Sequence, residues 1–449
     1  EMLAQQAPDA AGPPAASPDP AAAEPGLVVC PIGTGSSVPS LYRNVSANIV
    51  SVSGYGGMVL DCGESTVSLL KRFLGFPQRN ALNTRVRQSY VEFVASLKLL
   101  YISHMHADHH LGAVLLLREW ARLTRPLEPR PRLTIVGPAR FWVWLEDYAG
   151  VEDLELDRVD FVSCRDIQIS DPAAAGRALP AGRLEQTRDR VAKLKADLGL
   201  VDVATCSVIH CPWAYGVSFT HSSGWKLVYS GDTRPCANLI TLGRAGDTRP
   251  TILLHEATLP DEFLQDAIAK RHTTGSEAVA MAVGMGAENL LMTHFSQRCL
   301  TLPRWKPSAV RAVKVNRYGY IAGGGGGGSG SSTPGSGLAS AEPETAAGDA
   351  PLDGPLSPVD TRAVKEALMR ELGEPLSDAS DGEDAATKQS LYGGLSIAAA
   401  FDMTAYSPAD IQQHRTHVPR LRKALYKELT LFMTEDAAPS DADEADDTH

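Results

Sequence analysis

Between Ser103 and Gly112 the sequence reads SHMHADHHLG, and four potential metal ligands, His104, His106, Asp108 and His109, fall within it. Neutral imidazole and carboxylate are donors that suit zinc, and ligand type alone also admits manganese. At the end of a strand, residues two apart point the same way, so His104 and His106 share a direction. A turn following them swings Asp108 and His109 across to a second ion. HxHxDH therefore suits a two-metal site, the kind that activates water for attack and stabilises the charge that develops. The competing reading is a His-rich surface loop, which three His and one Asp between a strand and a helix make the weaker one.

Two ions need further ligands, and each downstream His or Asp that closes an apolar run is a candidate. His210 closes VATCSVIH (203–210), Asp232 closes WKLVYSGD (225–232) and His294 falls at the end of NLLMTHF (289–295). With two carboxylate oxygens, Asp232 is the natural bridge between ions about 3.5–4 Å apart, and a hydroxide between them would be the nucleophile.

The elements that must position these residues are short apolar runs closed by Gly, Ser or Asp. LVVCPIGTGSSVPS (27–40), SANIVSV (46–52) and GGMVLDCGES (56–65) read as a meander of strands. Residues 66–76 and 89–96 read as helices, 97–103 as a buried strand, 111–123 as the helix after it, and 133–138 as another strand. Residues 180–199 carry apolar positions near helical spacing on a basic background and end in Gly199, the pattern of an amphipathic helix. Strands resume at 203–210, 215–221, 225–232 and 251–257, followed by a helix at 274–286 and a strand at 289–295. This order predicts an α+β protein built of two mixed halves that face each other.

Charge separates the body from its flanks. The chain of 449 residues has a net charge of −11, yet segments 1–26, 323–389 and 434–449 together hold −19, which leaves +8 on the rest. Residues 1–26 are Ala/Pro-rich without apolar periodicity and read as a disordered leader. Residues 323–389 open on six consecutive glycines and continue rich in Pro, Ser and acids, a disordered insertion rather than an engineered linker. One large catalytic domain is expected over 27–322, completed by a strand at 395–402 and a basic helix at 419–432 within residues 390–433, with an acidic tail at 434–449. No apolar run reaches the roughly 18 residues of a membrane span, so no membrane partner is expected. Seven cysteines without a CxxC pair indicate neither a disulfide framework nor a zinc ribbon, and fit a reducing intracellular compartment.

HxHxDH followed by separated His, Asp and His resembles the metallo-β-lactamase superfamily. The surrounding motifs IGTGSSVPSLYRN (32–44), DCGE (61–64), HCPWAYG (210–216), YSGDTRPC (229–236), HEAT (255–258), HTT (272–274) and THFSQR (293–298) resemble tRNase Z in order and approximate spacing. The resemblance covers roughly 27–310, and AAFDM (399–403) with the terminal helix extends it past the insertion. HEAT with the downstream HTT separates this family from glyoxalase II, arylsulfatase and β-lactamase relatives.

The resemblance implies an αββα sandwich with a dinuclear metal site at one edge and an endoribonuclease that removes 3′ trailers from precursor tRNA. It implies two zinc ions per chain, with manganese an in vitro substitute. One zinc would take His104, His106 and His210, the other Asp108, His109 and His294, with Asp232 between them. Glu256 and His272 match the pair that delivers a proton to the leaving oxygen, and Arg43 and Asn44 match residues that contact the substrate. Arg298, just past the last ligand, is either a phosphate contact or an ordinary surface arginine. A superfamily hydrolase of small esters or phosphodiesters, and a non-catalytic RNA-binding half of a larger enzyme, are the alternatives. Seven intact ligands weigh against the second.

Two residues depart from the family pattern: Leu41 stands where Lys is usual and Ser65 where Gly is usual. No Gly/Pro-rich arm that would grip the tRNA elbow is visible. The chain resembles the C-terminal half of the long-form enzyme, so a missing N-terminal half, or a second copy in a homodimer, is expected to supply the arm. Nucleus, mitochondrion and plastid are all open as the compartment. Asn44-Val45-Ser46 fits a glycosylation sequon and is taken as chance.

Overall fold

The computed structural model describes residues 26–40, 43–75, 88–169, 181–298, 313–316, 319–321 and 395–400, with a few single positions besides. Leu41, the leader up to residue 25, the whole 323–389 insertion, the segment expected as the 419–432 helix and the acidic tail lie outside the described residues.

The chain runs through β1 (Leu27–Gly33), β2 (Ala47–Val52), β3 (Gly56–Cys62), α1 (Thr66–Leu74), α2 (Tyr90–Ala95), β4 (Leu97–Tyr101), α3 (Ala107–His110), α4 (Ala113–Thr124), β5 (Leu133–Gly137), α5 (Ala139–Ala149) and β6 (Val159–Ser163). The second half comprises α6 (Ala181–Leu198), β7 (Leu200–Ser207), β8 (Tyr215–His221), β9 (Lys226–Tyr229), α7 (Ala237–Arg244), β10 (Ile252–Glu256), α8 (Leu264–Lys270), α9 (Gly275–Met285) and β11 (Asn289–Thr293). The hairpin β12 (Lys314–Asn316) and β13 (Gly319–Ile321) follows, and then β14 (Ser396–Ala399).

These strands form two six-stranded sheets, β1-β2-β3-β4-β5-β6 and β14-β11-β10-β9-β8-β7. Each begins as an antiparallel meander, β1 to β3 and β7 to β9, and continues with parallel strands. The meander expected over 27–65 is β1 to β3, and crossover helices then make the rest of each sheet parallel. The 395–402 strand joins the second sheet, pairing with β11.

Both sheets are covered on both faces, which is why their strands read as continuous apolar runs rather than alternating ones. Successive residues part to opposite sides: Met58 and Leu60 face the opposing sheet while Val59 meets the helices, and Ile252 and Leu254 face inward while Leu253 faces α7 and α9. Phe73, Phe93, Trp120 and Phe141 cover the first sheet, and Leu239, Leu242, Val279 and Met285 cover the second. The layers are thus αββα.

Sequence reading missed α5, β6, α7, α8 and the β12–β13 hairpin. Helix α5 carries two tryptophans and no capping residue at its start, β6 is five residues long, and α7 follows a loop rich in turn residues. The basic helix expected at 180–199 is α6, but three of its five cations are engaged locally: Arg183 pairs with Asp166, Lys193 with Asp197, and Arg190 donates to the carbonyl of Phe161. Ser65, which replaces the family glycine, precedes α1 with φ 65°, a left-handed conformation that glycine adopts without strain. Among the described residues no disulfide is formed, and no described helix is long and apolar enough to cross a membrane.

Lys226 is almost fully buried on β9, and its ammonium donates to the carbonyls of Leu242, Gly243 and Ala245 at 3.2, 2.9 and 2.7 Å, closing the C-terminal end of α7. Removing the donor strands these carbonyls. Lys226→Met should therefore lose about 1–3 kcal/mol in urea unfolding; an unchanged midpoint would contradict this role.

Candidate metal centre

Because β7 and β9 run parallel to one another, as do β9, β10 and β11, their C-terminal ends share one edge of the second sheet. The ends of β3 and β4 share the corresponding edge of the first. Open parallel sheets place their sites at such carboxyl ends. His104 and His106 follow β4, His210 follows β7, Asp232 follows β9, Glu256 is the last residue of β10 and His294 follows β11. Most of these ligands therefore lie just past the strands in loops, where sequence reading had them closing the strands. The HADHH turn is the four-residue helix α3, which carries Asp108 and His109 back toward the other residues.

All seven expected ligands come together. Nδ1 of His106 lies 3.0 Å from Nε2 of His210, and Nε2 of His109 lies 3.2 Å from Nε2 of His294. Asp232 stands between the two sets: Oδ2 is 3.3 Å from His109, 3.6 Å from His210 and 3.7 Å from His104, and Oδ1 is 3.4 Å from His294. Asp108 Oδ2 lies 3.5 and 3.4 Å from His109 and His294, and accepts from the amide of Ser37 at 2.7 Å. His106 is at the exposed mouth, and the other six are buried.

The donor chemistry fits a metal. Nε2 of His104 is buried without a hydrogen-bond partner among the described residues, an arrangement costly in a protein unless another group fills it. Burial, with neighbouring imidazoles, holds His104 well below the usual imidazole value, and burial likewise lowers His106 and His210, so these rings present neutral lone pairs. Burial alone would raise Asp232, but the imidazoles of His109 and His294 keep it well below the ordinary carboxylate value. Groups able to hold a cation include His104/His106/His210 with Cys211, Asp108/His109/His294, and His104/His109/Asp232. Cys211 reached this group unnoticed in the sequence, where it was counted only among unpaired cysteines.

Outer contacts orient the rings. Nδ1 of His109 meets Asp61 Oδ2 at 2.7 Å, Nδ1 of His210 meets the carbonyl of Arg271 at 3.0 Å, and Nδ1 of His294 meets Oγ1 of Thr258 at 2.8 Å. Asp61, quoted in the sequence only as part of DCGE, also accepts from the amide and hydroxyl of Ser103 and from Tyr229, each at 2.7 Å.

Glu256 and His272 are also brought together, with Nδ1 of His272 3.0 Å from Oε1 of Glu256. The amides of Thr233 and Thr273 donate to the same carboxylate at 2.6 and 3.0 Å. Burial disfavours a charge on His272, but the Glu256 carboxylate outweighs it and pushes the imidazole up to about 9. Its charged form is thus complete below 6.5 and is lost as pH rises through about 9. Arg234 donates to the His272 carbonyl and pairs with Glu277, which caps α9; this support had no signal in the sequence.

The substrate-contact candidates sit apart from this cluster. The Arg43 guanidinium donates to Thr34 and to the carbonyl of Ala400, and lies 4.7 Å over the Phe295 ring. Asn44 donates to the carbonyl of Glu64 at 2.9 Å, and Arg298 is exposed.

Residues 58–295 match the family described as a beta-lactamase superfamily domain, and the chain belongs to that superfamily. Among curated relatives it is similar to Ribonuclease Z 1 of Schizosaccharomyces pombe, 36% identical over 288 residues, covering 62% of this chain and 32% of that protein. Zinc phosphodiesterase ELAC protein 2 of Homo sapiens is 35% identical over 288 residues, covering 63% and 32%. The chain thus spans about one third of the length of these relatives. The crystal structure of a long form RNase Z from yeast shares the fold, with a TM-score of 0.59 at 24% identity, covering 91% of this chain and 45% of that one.

Asp61 fixes His109 from behind, and such supporting carboxylates typically contribute 10–100-fold to metal affinity. Asp61→Asn should weaken zinc binding by that factor in a chelator competition while far-UV circular dichroism is retained. Equal affinity would show that the ring needs no such support.

Proposed function

We propose that this chain is the catalytic half of a zinc-dependent endoribonuclease that removes the 3′ trailer from precursor tRNA by cutting after the discriminator nucleotide. The observation that carries the reading is the Glu256–His272 pair, 3.0 Å across and next to Asp232 of the ligand cluster. The similarity to ribonuclease Z relatives at 35–36% identity supports it.

His104, His106 and His210 would hold one zinc and Asp108, His109 and His294 the other, with Asp232 between them. The metal pair, when bound, supplies Lewis-acid charge for the phosphate and lowers the pKa of the attacking water. The remaining steps belong to the chain. Glu256, fixed by two backbone amides, keeps His272 protonated. His272 then gives its proton to the departing 3′ oxygen, a poor leaving group unless it is protonated. The products are a tRNA with a 3′ hydroxyl and a trailer with a 5′ phosphate. Asn44 and exposed Arg298 are the proposed substrate contacts, and Arg43 serves them by holding the loop.

The proposed catalytic unit is residues 27–322 with 390–433, and the pairing of β14 with β11 supports the joining of these segments across the insertion. Grip on the tRNA elbow would come from a further segment, for which the greater length of the relatives leaves room, or from a second copy of the chain.

Incubated with 3′-extended pre-tRNA and zinc or manganese, the purified chain should cut after the discriminator and leave a 3′ hydroxyl, and Asp108→Ala should not. The same cut persisting in Asp108→Ala would overturn the assignment. His272→Ala should lower the single-turnover rate by about 10²–10⁴-fold, the usual contribution of a general acid. A substrate with sulfur in place of the bridging 3′ oxygen needs no proton on leaving, so it should be cut by His272→Ala and wild type at nearly the same rate. A deficit that persists with sulfur would assign His272 another role.

A further inference from the structure

Trp213 stands out three residues after His210 of the ligand cluster. Its indole is 48% exposed, whereas Trp120 and Trp225 are buried. Its backbone is left-handed, φ 60°, a true outlier for a bulky side chain and a conformation that persists only when the surroundings impose it. The turn imposes it: the amide of Ala214 returns to the carbonyl of Cys211 at 3.3 Å, and that of Val208 donates to the carbonyl of Ala214 at 3.1 Å. Trp213 follows His210 by three residues, so their Cα atoms lie within about 11 Å. On one side of the ring the Arg140 guanidinium lies 4.2 Å from its centroid. Arg140 comes from the first turn of α5, directly after the C-terminal end of β5, which runs parallel to β4. Two loops from opposite sheets thus bring an aromatic ring and a cation together at the edge that carries the ligand cluster.

Burial explains neither residue, since both are exposed. Single-stranded nucleic acid is bound where a base stacks on an aromatic ring and a cation accompanies the backbone. We infer that Trp213 and Arg140 form a stacking platform for one unpaired nucleobase of the RNA, beside the scissile phosphate. The inference rests on the proposed action on RNA and adds a binding site to it. Trp213 is a positioning residue: it sets where the strand lies and takes no part in bond breaking.

The test uses the full chain loaded with zinc. Trp213→Gly removes the ring and relieves the backbone, so its melting temperature should not fall, and Trp213→Phe keeps a smaller ring. On pre-tRNA, Trp213→Gly should raise KM roughly 5- to 100-fold relative to its effect on bis(p-nitrophenyl) phosphate, and Trp213→Phe should recover most of that loss. Abasic nucleotides placed in turn at the discriminator and the first trailer positions should reproduce the loss in wild type at one position and add nothing there in Trp213→Gly. Additive losses at every position, or an equal loss on the small diester, would overturn the platform. If wild type turns over the small diester but leaves pre-tRNA uncut, the functional reading fails, and fluorescence then decides the platform. A short single-stranded oligoribonucleotide should quench wild type and leave Trp213→Gly unquenched, and equal quenching in both would overturn the inference.

Discussion

Asp61 ends β3 in a left-handed backbone, φ 58°, fully buried where the two sheets meet. A buried carboxylate is tolerable only when its oxygens are satisfied, and here the donors come from both sheets. Ser103, beyond β4, gives its amide and hydroxyl, and Tyr229 reaches across from β9. The remaining contact is Nδ1 of His109, which turns Nε2 of that ring toward Asp232 and His294. One side chain therefore ties the sandwich at its functional edge and aims a central ring of the cluster. The amide of Tyr215 donating to the carbonyl of Ser103, and the hydroxyl of Tyr101 donating to that of Tyr215, close the same seam.

The duplicated layout explains why so many chemically demanding residues converge. Each half opens as a meander and turns parallel, so each presents the C-terminal ends of its strands at one edge, and stacking the sheets puts the two edges together. The first half supplies His104, His106, Asp108 and His109 from one segment. The second supplies His210, Asp232, Glu256, His272 and His294 from successive loops. Neutral imidazoles produced by burial, facing carboxylates kept ionised by the imidazoles around them, make a site that a divalent cation would complete.

The candidate ligands that the structure brings together were legible in the sequence because their types are rare and each falls at or just beyond the end of an apolar run. The order of most strands and helices between Leu27 and Phe295 was legible for the same reason, α5, β6, α7 and α8 excepted. What stayed hidden was long-range. Asp61 acts through Ser103, His109 and Tyr229, 42, 48 and 168 residues away. The Arg234–Glu277 pair that holds the His272 loop has no local pattern, and the engagement of Arg43 with Ala400 spans the insertion. Helix α5 went unread since its two tryptophans and absent cap obscure an otherwise amphipathic stretch.

Under the proposed function, the seven converging residues would hold two ions with Asp232 between them. Zinc-edge X-ray absorption of the loaded protein tests this most directly. The account predicts a zinc–zinc scattering path of about 3.5–4 Å with imidazole nitrogen in the first shell. A single zinc with no metal–metal path, or a shell dominated by sulfur from Cys211, would contradict it.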